Sequence, residues 1–278
     1  MELPINTFKR ALREQRHQTG LWVTLAHPNS TELVAASGFD WLLLDTEHTP
    51  ALLPTVMAQL QAAAAYGSHP VVRPSWNDKV QIKQYLDIGA QTLLLPYVQN
   101  AAEAESAVAG MRYAPRGVRG VSGTMRATRY GRVPDYMRRC EEELCLLVQA
   151  ETGEALENLD AIIAVDGVDG VFIGPADLAA SLGYPGEPQH PHVVEAVEQA
   201  IRRVRAAGKA PGVLTTDETL ARRYMAAGSL YTAVGVDAAI GPIRDFVCGA
   251  YMRTKDHGYA DEEETHSSCS SGRPWAAA

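Results

Sequence analysis

The architecture of the chain follows from residues 144–178, LCLLVQAETGEALENLDAIIAVDGVDGVFIGPADL. Two short apolar runs, Leu144–Val148 and Gly170–Ile173, are each bounded by glycine or polar residues. Between them, Gly153–Val165 has the composition and spacing of a helix. A strand, a helix and a second strand in this order are typical of two parallel strands of one sheet. The segment therefore predicts a parallel α/β fold.

Carboxylates follow both predicted strands. The first strand leads into Gln149 and Glu151, and the second leads through Gly174 into Asp177. In α/β folds the carboxyl ends of neighbouring parallel strands carry the chemistry. Either carboxylate alone could be a surface or helix-cap residue that the helix dipole favours. Two carboxylates at matching strand ends favour an oxygen-ligated divalent metal such as Mg²⁺ or Mn²⁺.

The second strand end also has the pattern of an anion site. Gly174 allows the backbone to approach a ligand closely, and Pro175 suits the first turn of a helix. Free backbone N–H groups at that helix start would hold a small carboxylate. A metal beside an anion site fits a 2-oxo acid that is chelated through its ketone and carboxylate oxygens.

The rest of the chain repeats the alternation of strands and helices. Eight strands are predicted, and most of the helices between them end at a glycine; the strands are 20–26, 39–45, 69–73, 91–95, 144–148, 170–173, 210–214 and 230–234. This is the pattern of a (β/α)₈ TIM barrel, with an open doubly wound sheet as the alternative. No GxGxxG fingerprint follows the first strand, which argues against that alternative and against a nucleotide cofactor.

One domain accounts for most of the chain. Residues 1–257 are predicted to form the barrel, and residues 258–278, acidic and then rich in serine, to form a disordered tail. The end of that tail, SSGRPWAAA, could be a remnant of cloning and carries no fold argument. Within the barrel, residues 112–143 lack apolar periodicity, and a loop this long is usually functional or disordered.

Composition excludes several classes of partner. The 278 residues carry a net charge of −8 with no long basic run, which argues against nucleic acid or an anionic membrane surface as partner. No apolar stretch reaches the length of a membrane span, and the N-terminus has no signal-peptide core. The four cysteines form neither a CxxC pair nor a zinc spacing. We therefore expect a cytoplasmic protein.

Two further strand ends supply candidate catalytic side chains. The third strand ends at Arg73, a fixed cation for the oxyanion that develops on a keto oxygen. His48 follows the second strand and can transfer protons near neutral pH. Each has a plainer alternative, because Arg73 could form a surface salt bridge and His48 could lie at a helix start without a role.

The remaining polar strand ends are assigned supporting roles or none. Asp45 and Gln149 would hydrogen-bond metal-bound waters, although Asp45 could also only cap a turn. Glu47 has no assigned role, since nothing in the sequence gives it one. His27, just after the first strand, lies within reach of the pocket rim, and Asp237 follows the eighth strand.

The lysines argue against a Schiff-base mechanism. None of the five follows the carboxyl end of a predicted strand; they are Lys9, Lys79, Lys83, Lys209 and Lys255. A lysine that forms a Schiff base would have to lie among the pocket residues. A metal must then provide the electron sink.

Long segments of the chain resemble one known family, the class II (metal-dependent) pyruvate aldolases. The segments are FDWLLLDTEH (39–48), PVVRPSWNDKVQIKQYLDIGAQTLLLP (70–96), RYAPRGVRGV (112–121), LVQAETGEALENL (147–159) and VDGVDGVFIGPADLAASLGY (165–184). The likeness extends over about residues 8–253. It implies a (β/α)₈ barrel that exchanges its last helix with a neighbour, in a homohexamer built as a trimer of dimers.

The resemblance also implies roles for individual residues. Glu151 and Asp177 would bind Mg²⁺, Mn²⁺ or Co²⁺, while Arg73 would contact the keto oxygen of pyruvate and His48 would be the acid–base residue. Asp87 would come from a neighbouring subunit to pair with His48. The pyruvate carboxylate would be held by two backbone N–H groups, those of Gly174 and Ala176.

The expected reaction is a reversible retro-aldol cleavage of a 4-hydroxy-2-oxo acid to pyruvate and an aldehyde. The best candidate substrate is 4-hydroxy-2-oxoheptanedioate, which gives succinate semialdehyde, and Arg126 or Arg129 of the long loop would meet its distal carboxylate. Two alternatives stay open: a lyase for a sugar-derived 2-keto-3-deoxy acid, and a non-catalytic protein that binds a metal and a 2-oxo acid.

Overall fold

Eight parallel strands close into a barrel in chain order, and the last strand pairs with the first. In the computed structural model they are β1 Gln18–Val23, β2 Trp41–Asp45, β3 His69–Arg73, β4 Thr92–Leu95, β5 Cys145–Ala150, β6 Gly170–Ile173, β7 Ala210–Leu214 and β8 Tyr231–Val236. This confirms the predicted (β/α)₈ fold. The structure describes residues 1–239, so the exchanged last helix and the tail, both predicted beyond that point, lie outside the described residues.

Helices connect successive strands on the outside of the barrel. They are α1 Thr7–Arg13, α2 Pro28–Ala35, α3 Leu53–Ala63, α4 Lys79–Asp87, α5 Ala101–Met111, α6 Tyr136–Arg139, α7 Gly153–Glu157, α8 Leu159–Ala164, α9 Pro175–Ser181, α10 Pro191–Ala206 and α11 Glu218–Ala227. Side-chain caps fix several helix starts; Asp78, for example, accepts from the backbone N–H groups of Val80 and Gln81. None of the helices in residues 1–239 combines the length and apolarity needed to cross a bilayer.

Alternate residues of the strands fill the barrel interior. In β2, Trp41 and Leu43 belong to the inner cluster, whereas Leu42 and Leu44 pack against the surrounding helices. The Trp41 ring fits because β1 has Gly20 beside it, where a Cβ atom would lie 2.2 Å from the ring. The interior is therefore a packed core of large side chains.

The amino end of the barrel is closed by helix α1. Phe8 and Leu12 join the inner cluster, and the Phe8 ring stacks on His69 with 5.7 Å between centroids. At the carboxyl end the inward positions change character, because Asp45, Arg73 and Gln149 take the places that apolar residues hold deeper in the barrel. The strand alternation thus delivers buried polar side chains to one end only.

Two segments differ from the sequence prediction. The predicted helix over 153–165 is interrupted at Asn158, which ends α7 and whose amide donates to the Gln99 carbonyl over 3.0 Å. Residues 112–143 form an ordered loop with short helical turns, anchored by the buried Arg119. That guanidinium pairs with Asp87 at 2.8 Å and lies 4.7 Å from the centroid of the Tyr113 ring.

Candidate active site

Arg73 is the centre of the polar cluster at the carboxyl end. Its Nε and Nη2 atoms donate to the two carboxylate oxygens of Asp45 over 2.9 and 2.7 Å, a bidentate pair. Its Nη1 atom lies 3.0 Å from Glu47 Oε2 and donates to Gln149 Oε1 over 3.4 Å. The guanidinium also stacks over Trp22, 5.1 Å from the ring centroid. The cation is thus held in one orientation.

Asp45 is engaged mainly by Arg73. Besides the bidentate pair, its Oδ1 atom accepts from the backbone N–H of Glu47 over 3.0 Å. These contacts show Asp45 as the residue that orients Arg73, a role that the sequence analysis did not assign. Its predicted hydrogen bonds to metal-bound waters stay a prediction.

Glu151 is a buried carboxylate on the other side of the cluster. Its Oε1 atom accepts from the backbone N–H of Tyr97 over 2.8 Å, and its Oε2 atom accepts from Gln149 Nε2 over 2.7 Å. Burial raises the pKa of Glu151 to about 7, and the negative charges of Asp177 and Glu47 add to the rise. A nearby cation would offset these effects.

Gln149 and Gly174 fix the position of Glu151. The Gln149 amide accepts from Arg73 and donates to Glu151, so it links the cationic and anionic halves of the cluster. Gly174 precedes α9 and packs against the carboxylate; a Cβ atom there would lie 2.5 Å from Glu151 Oε2. This close approach is the physical reason for a glycine at that strand end.

Asp177 lies in the first turn of α9, exposed at the barrel rim. Its charge contributes to the raised pKa values of both Glu151 and Glu47, so the three carboxylates converge. Ala176, also exposed, precedes it in the same turn, where backbone N–H groups have no partner within the helix. The structure therefore brings together the two predicted metal ligands and the predicted carboxylate-binding turn.

Glu47 is a site residue that the sequence analysis missed. Besides its ion pair with Arg73, its Oε1 atom lies 3.8 Å from His48 Nε2. Burial raises the pKa of Glu47, with Arg73 and His48 opposing that rise. The signal was present in the sequence, because Trp41, Leu43, Asp45 and Glu47 share the same parity along the second strand. His48 itself has an exposed side chain at the rim.

The described residues fit a divalent cation without forming a complete ligand cage. Residues 1–239 contain no group of three or more His, Cys, Asp or Glu side chains with metal-holding geometry. The donor set is instead Glu151, buried with a raised pKa, and Asp177 beside it, both with the oxygen atoms that hard divalent cations prefer.

Asp87 lies away from His48 within the chain. It ends α4, close to the amino end of the barrel, where it forms the ion pair with Arg119. The expected partnership joins Asp87 of one subunit to His48 of another, so a single chain does not test it.

Arg126 and Arg129 also lie at the amino end. Arg126 Nη1 donates to the Ile88 carbonyl over 2.7 Å, and both arginines line a cavity of about 220 Å³ together with His69 and Gln91, which lie where strands begin. Within one subunit the two arginines lie far from the polar cluster, and the expected contact with the distal substrate carboxylate stays a prediction. The loop's lack of periodicity gave no indication of which end of the barrel it covers.

Two rim residues and the lysines have structural contacts. His27 caps α2, where its Nδ1 accepts from the N–H of Asn29, and Asp237 binds the backbone of the β1–α2 loop through the N–H groups of Thr24 and Leu25. These contacts give both side chains a structural role at the carboxyl end of the barrel, and the expected place of His27 at the pocket rim stays a prediction. Lysines near the amino end donate to main-chain carbonyls; they are Lys9, on Glu141 and Leu144, and Lys209, on Val168.

Fold and site together define a (β/α)₈-barrel enzyme with its chemistry at the carboxyl ends of the strands. Residues 18–240 match the family described as HpcH/HpaI aldolase/citrate lyase, and the chain belongs to that family. It is accordingly a carbon–carbon lyase of the aldolase type.

Similar proteins agree with this assignment. The chain is 60% identical over 240 residues to a pyruvate aldolase of Rhizobium etli, covering 86% of this chain and 94% of the relative. It is 58% identical over 236 residues to a 4-hydroxy-2-oxo-heptane-1,7-dioate aldolase of Salmonella dublin, covering 84% and 90%. A solved HpcH/HpaI aldolase/citrate lyase family protein from Burkholderia cenocepacia is 35% identical, with a TM-score of 0.83 and coverage of 90% and 99%.

Proposed function

We propose that this aldolase cleaves 4-hydroxy-2-oxo acids in a reversible, divalent-metal-dependent retro-aldol reaction, with 4-hydroxy-2-oxoheptanedioate as its substrate. The products are pyruvate and succinate semialdehyde. The name of the Salmonella relative supports this substrate. The observation that carries the proposal is that the Gln149 amide links a fixed cation to a buried carboxylate. Its Oε1 atom accepts from Arg73 over 3.4 Å, and its Nε2 atom donates to Glu151 over 2.7 Å.

The geometry divides the work among the residues. A divalent cation held by Glu151 and Asp177 would supply a Lewis acid for the keto and carboxylate oxygens of the substrate. Arg73, held by Asp45, donates to the keto oxygen and stabilises the negative charge that develops there. The backbone N–H of Ala176 binds the carboxylate, together with that of Gly174, which in the structure donates to the Ala150 carbonyl over a long 3.4 Å.

Proton transfer is assigned to the exposed rim residue His48. It takes the proton of the C4 hydroxyl as the C3–C4 bond breaks; C4 becomes the aldehyde carbon, and the bond's electron pair passes to the enolate of pyruvate. Return of that proton from the His48 imidazolium to C3 of the enolate completes pyruvate and restores neutral His48. Glu47, which contacts both His48 and Arg73, supports the protonated imidazole electrostatically. Asp87 of a neighbouring subunit orients His48 within a homohexamer that works in the cytoplasm.

The substrate assignment is tested by comparing two classes of 4-hydroxy-2-oxo acid. Initial rates of pyruvate release, coupled to lactate dehydrogenase, are measured with racemic 4-hydroxy-2-oxoheptanedioate and with a sugar-derived 2-keto-3-deoxy acid. We expect kcat/KM to be higher for the dicarboxylate. A preference for the sugar acid would replace the proposed substrate, and pyruvate binding without cleavage of either would contradict catalysis.

A further inference from the structure

An exposed pair of aromatic rings stands at the rim beside the candidate active site. Trp76 and Tyr97 stack with 5.8 Å between ring centroids and 27° between planes, yet their residues are 54% and 42% exposed. Trp76 follows β3 by three residues, and Tyr97 follows β4 by two. Both loops lie at the carboxyl end, so the pair faces the solvent on the side of the barrel that carries Arg73.

The backbone of Tyr97 is tied to the polar cluster. Its N–H donates to Glu151 Oε1 over 2.8 Å, and the next residue, Val98, donates its N–H to the Gln149 carbonyl over 3.0 Å. Tyr97 has a φ of +56°, in the left-handed region that is costly for a bulky residue. Such strain persists only where surrounding contacts enforce it, and it is concentrated at functional sites.

The Trp76 loop is held as firmly as the Tyr97 backbone. Ser75 donates through both its N–H and its hydroxyl to Gln81 Oε1, over 3.1 and 2.9 Å. Asn77 donates to the Glu103 carbonyl over 3.0 Å and so joins this loop to α5. The two rings therefore form a preorganised apolar surface next to Glu151, at little further entropic cost when a ligand packs on it.

We propose that the Trp76–Tyr97 pair is the surface on which the aldehyde-derived end of the substrate packs. The inference rests on the proposed function and deepens it. The oxo-acid end of the substrate faces Arg73 and Glu151, so the atoms beyond C4 extend toward the rim. Rigid aromatic faces favour a chain of methylene or aromatic carbons over a short hydroxylated one. The pair thus selects aldehydes with an apolar body, which includes the methylene stem of succinate semialdehyde.

The test is the aldol addition of pyruvate to two aldehydes, butanal and glycolaldehyde, with Mg²⁺ present. The Trp76→Ala variant should lower kcat/KM for butanal relative to glycolaldehyde by about tenfold, the lower end of what a hydrophobic contact discriminates. Trp76→Phe, which keeps a ring, should recover most of that ratio. The control is Val80→Ala, an exposed residue of α4, which should leave the ratio unchanged.

A second readout separates this inference from the proposed function. Exchange of the C3 protons of pyruvate with deuterium needs no aldehyde, and Trp76→Ala should leave its rate unchanged. Wild-type exchange together with an unaltered butanal-to-glycolaldehyde ratio in Trp76→Ala would overturn the aromatic surface alone. If Trp76→Ala instead changes the oligomeric mass measured by light scattering and leaves the butanal-to-glycolaldehyde ratio unaltered, the rings contact a second copy of the chain and the proposal is wrong. A wild-type protein with neither exchange nor addition would overturn the proposed function and this inference together.

Discussion

The two ends of strand β3 show how one barrel separates stability from chemistry. At the amino end, His69 is buried, stacks on Phe8 and shares a 2.8 Å hydrogen bond with Thr92 Oγ1. Burial lowers the pKa of His69 to about 4, so the ring is neutral at pH 7. At the carboxyl end, Arg73 lies on the same inward face but carries a charge among acidic partners. Depth along the barrel, and not orientation, decides between the two roles.

The inward face of the barrel changes function layer by layer from the amino to the carboxyl end. Below Arg73 the interior is filled by large rings and closed by α1, so it contributes packing. Above it, buried acidic groups converge although burial opposes their charge, as the raised pKa of Glu151 shows. Such an arrangement is poor for stability and suited to binding a cation and an anionic substrate. Each of the following substitutions alters one end of the barrel and should leave the other end unchanged.

The largest expected effect is on the packed interior. Trp41→Ala should lower the free energy of unfolding by about 3–5 kcal/mol, because a fully buried ring leaves a cavity against Gly20. Urea denaturation measures the change. Trp76→Ala, an exposed tryptophan, is the matched control and should stay within about 0.5 kcal/mol. Equal losses in the two variants would contradict the assignment of the core.

Removing the fixed cation should slow catalysis strongly. Arg73→Ala should lower kcat by about 10²–10³-fold, since the developing enolate loses its charged donor. The kcat of Arg73→Lys should lie between those of the wild type and Arg73→Ala, because a single ammonium keeps the charge but cannot form the bidentate pair with Asp45. Lactate-dehydrogenase-coupled pyruvate release measures both. The control is Arg222→Ala, in an exposed ion pair with Glu218; wild-type rates in Arg73→Ala would exclude the oxyanion role.

The neutral His69 should make the free energy of unfolding depend on pH in the acid range. His69 has a folded pKa of about 4 against an unfolded value of 6.5, so only the unfolded state binds its proton between those values. Its contribution, about 3 kcal/mol, is present above pH 6.5 and is lost as the pH falls toward 4. Urea midpoints from pH 7 to 4 should therefore fall more steeply in the wild type than in His69→Gln. Parallel profiles would mean that His69 is protonated in the folded state.

The smallest predicted effect concerns the amide that links the two halves of the site. Gln149→Leu should lower kcat/KM by about 10–100-fold, because Glu151 loses a donor and Arg73 loses an acceptor. Isothermal titration with Mg²⁺ should show a parallel loss of metal affinity. Gln199→Leu, on the exposed face of α10, is the control. An unchanged affinity and rate in Gln149→Leu would show that this link is dispensable.

The sequence predicts the barrel and most of the cluster because both depend on local pattern. Strand alternation and strand ends locate Arg73, Gln149 and Glu151. Glu47 was missed although its parity with Asp45 was visible, since a residue just beyond a strand has no fixed direction. Asp237 shows that a strand-end carboxylate can bind a neighbouring loop as well as a ligand, a contact that strand pattern alone does not predict.

The long loop is the region that sequence pattern predicts least. Without periodicity, nothing in residues 112–143 indicates that Arg119 is buried against Asp87 or that Arg126 turns to the amino end. Those positions depend on contacts with α4 and the strand starts that only the folded chain brings together.

The central claim is that Glu151 holds a divalent cation on which cleavage depends. Its most direct test is pyruvate release from 4-hydroxy-2-oxoheptanedioate after treatment with EDTA and again after Mg²⁺ or Mn²⁺ is restored. The wild type and Glu154→Gln, an exposed carboxylate three residues away, should lose activity with EDTA and regain it with metal. Glu151→Gln should stay on the order of 10³-fold less active at any metal concentration. Cleavage that survives complete metal removal, or a Glu151→Gln variant with wild-type activity, would contradict the account.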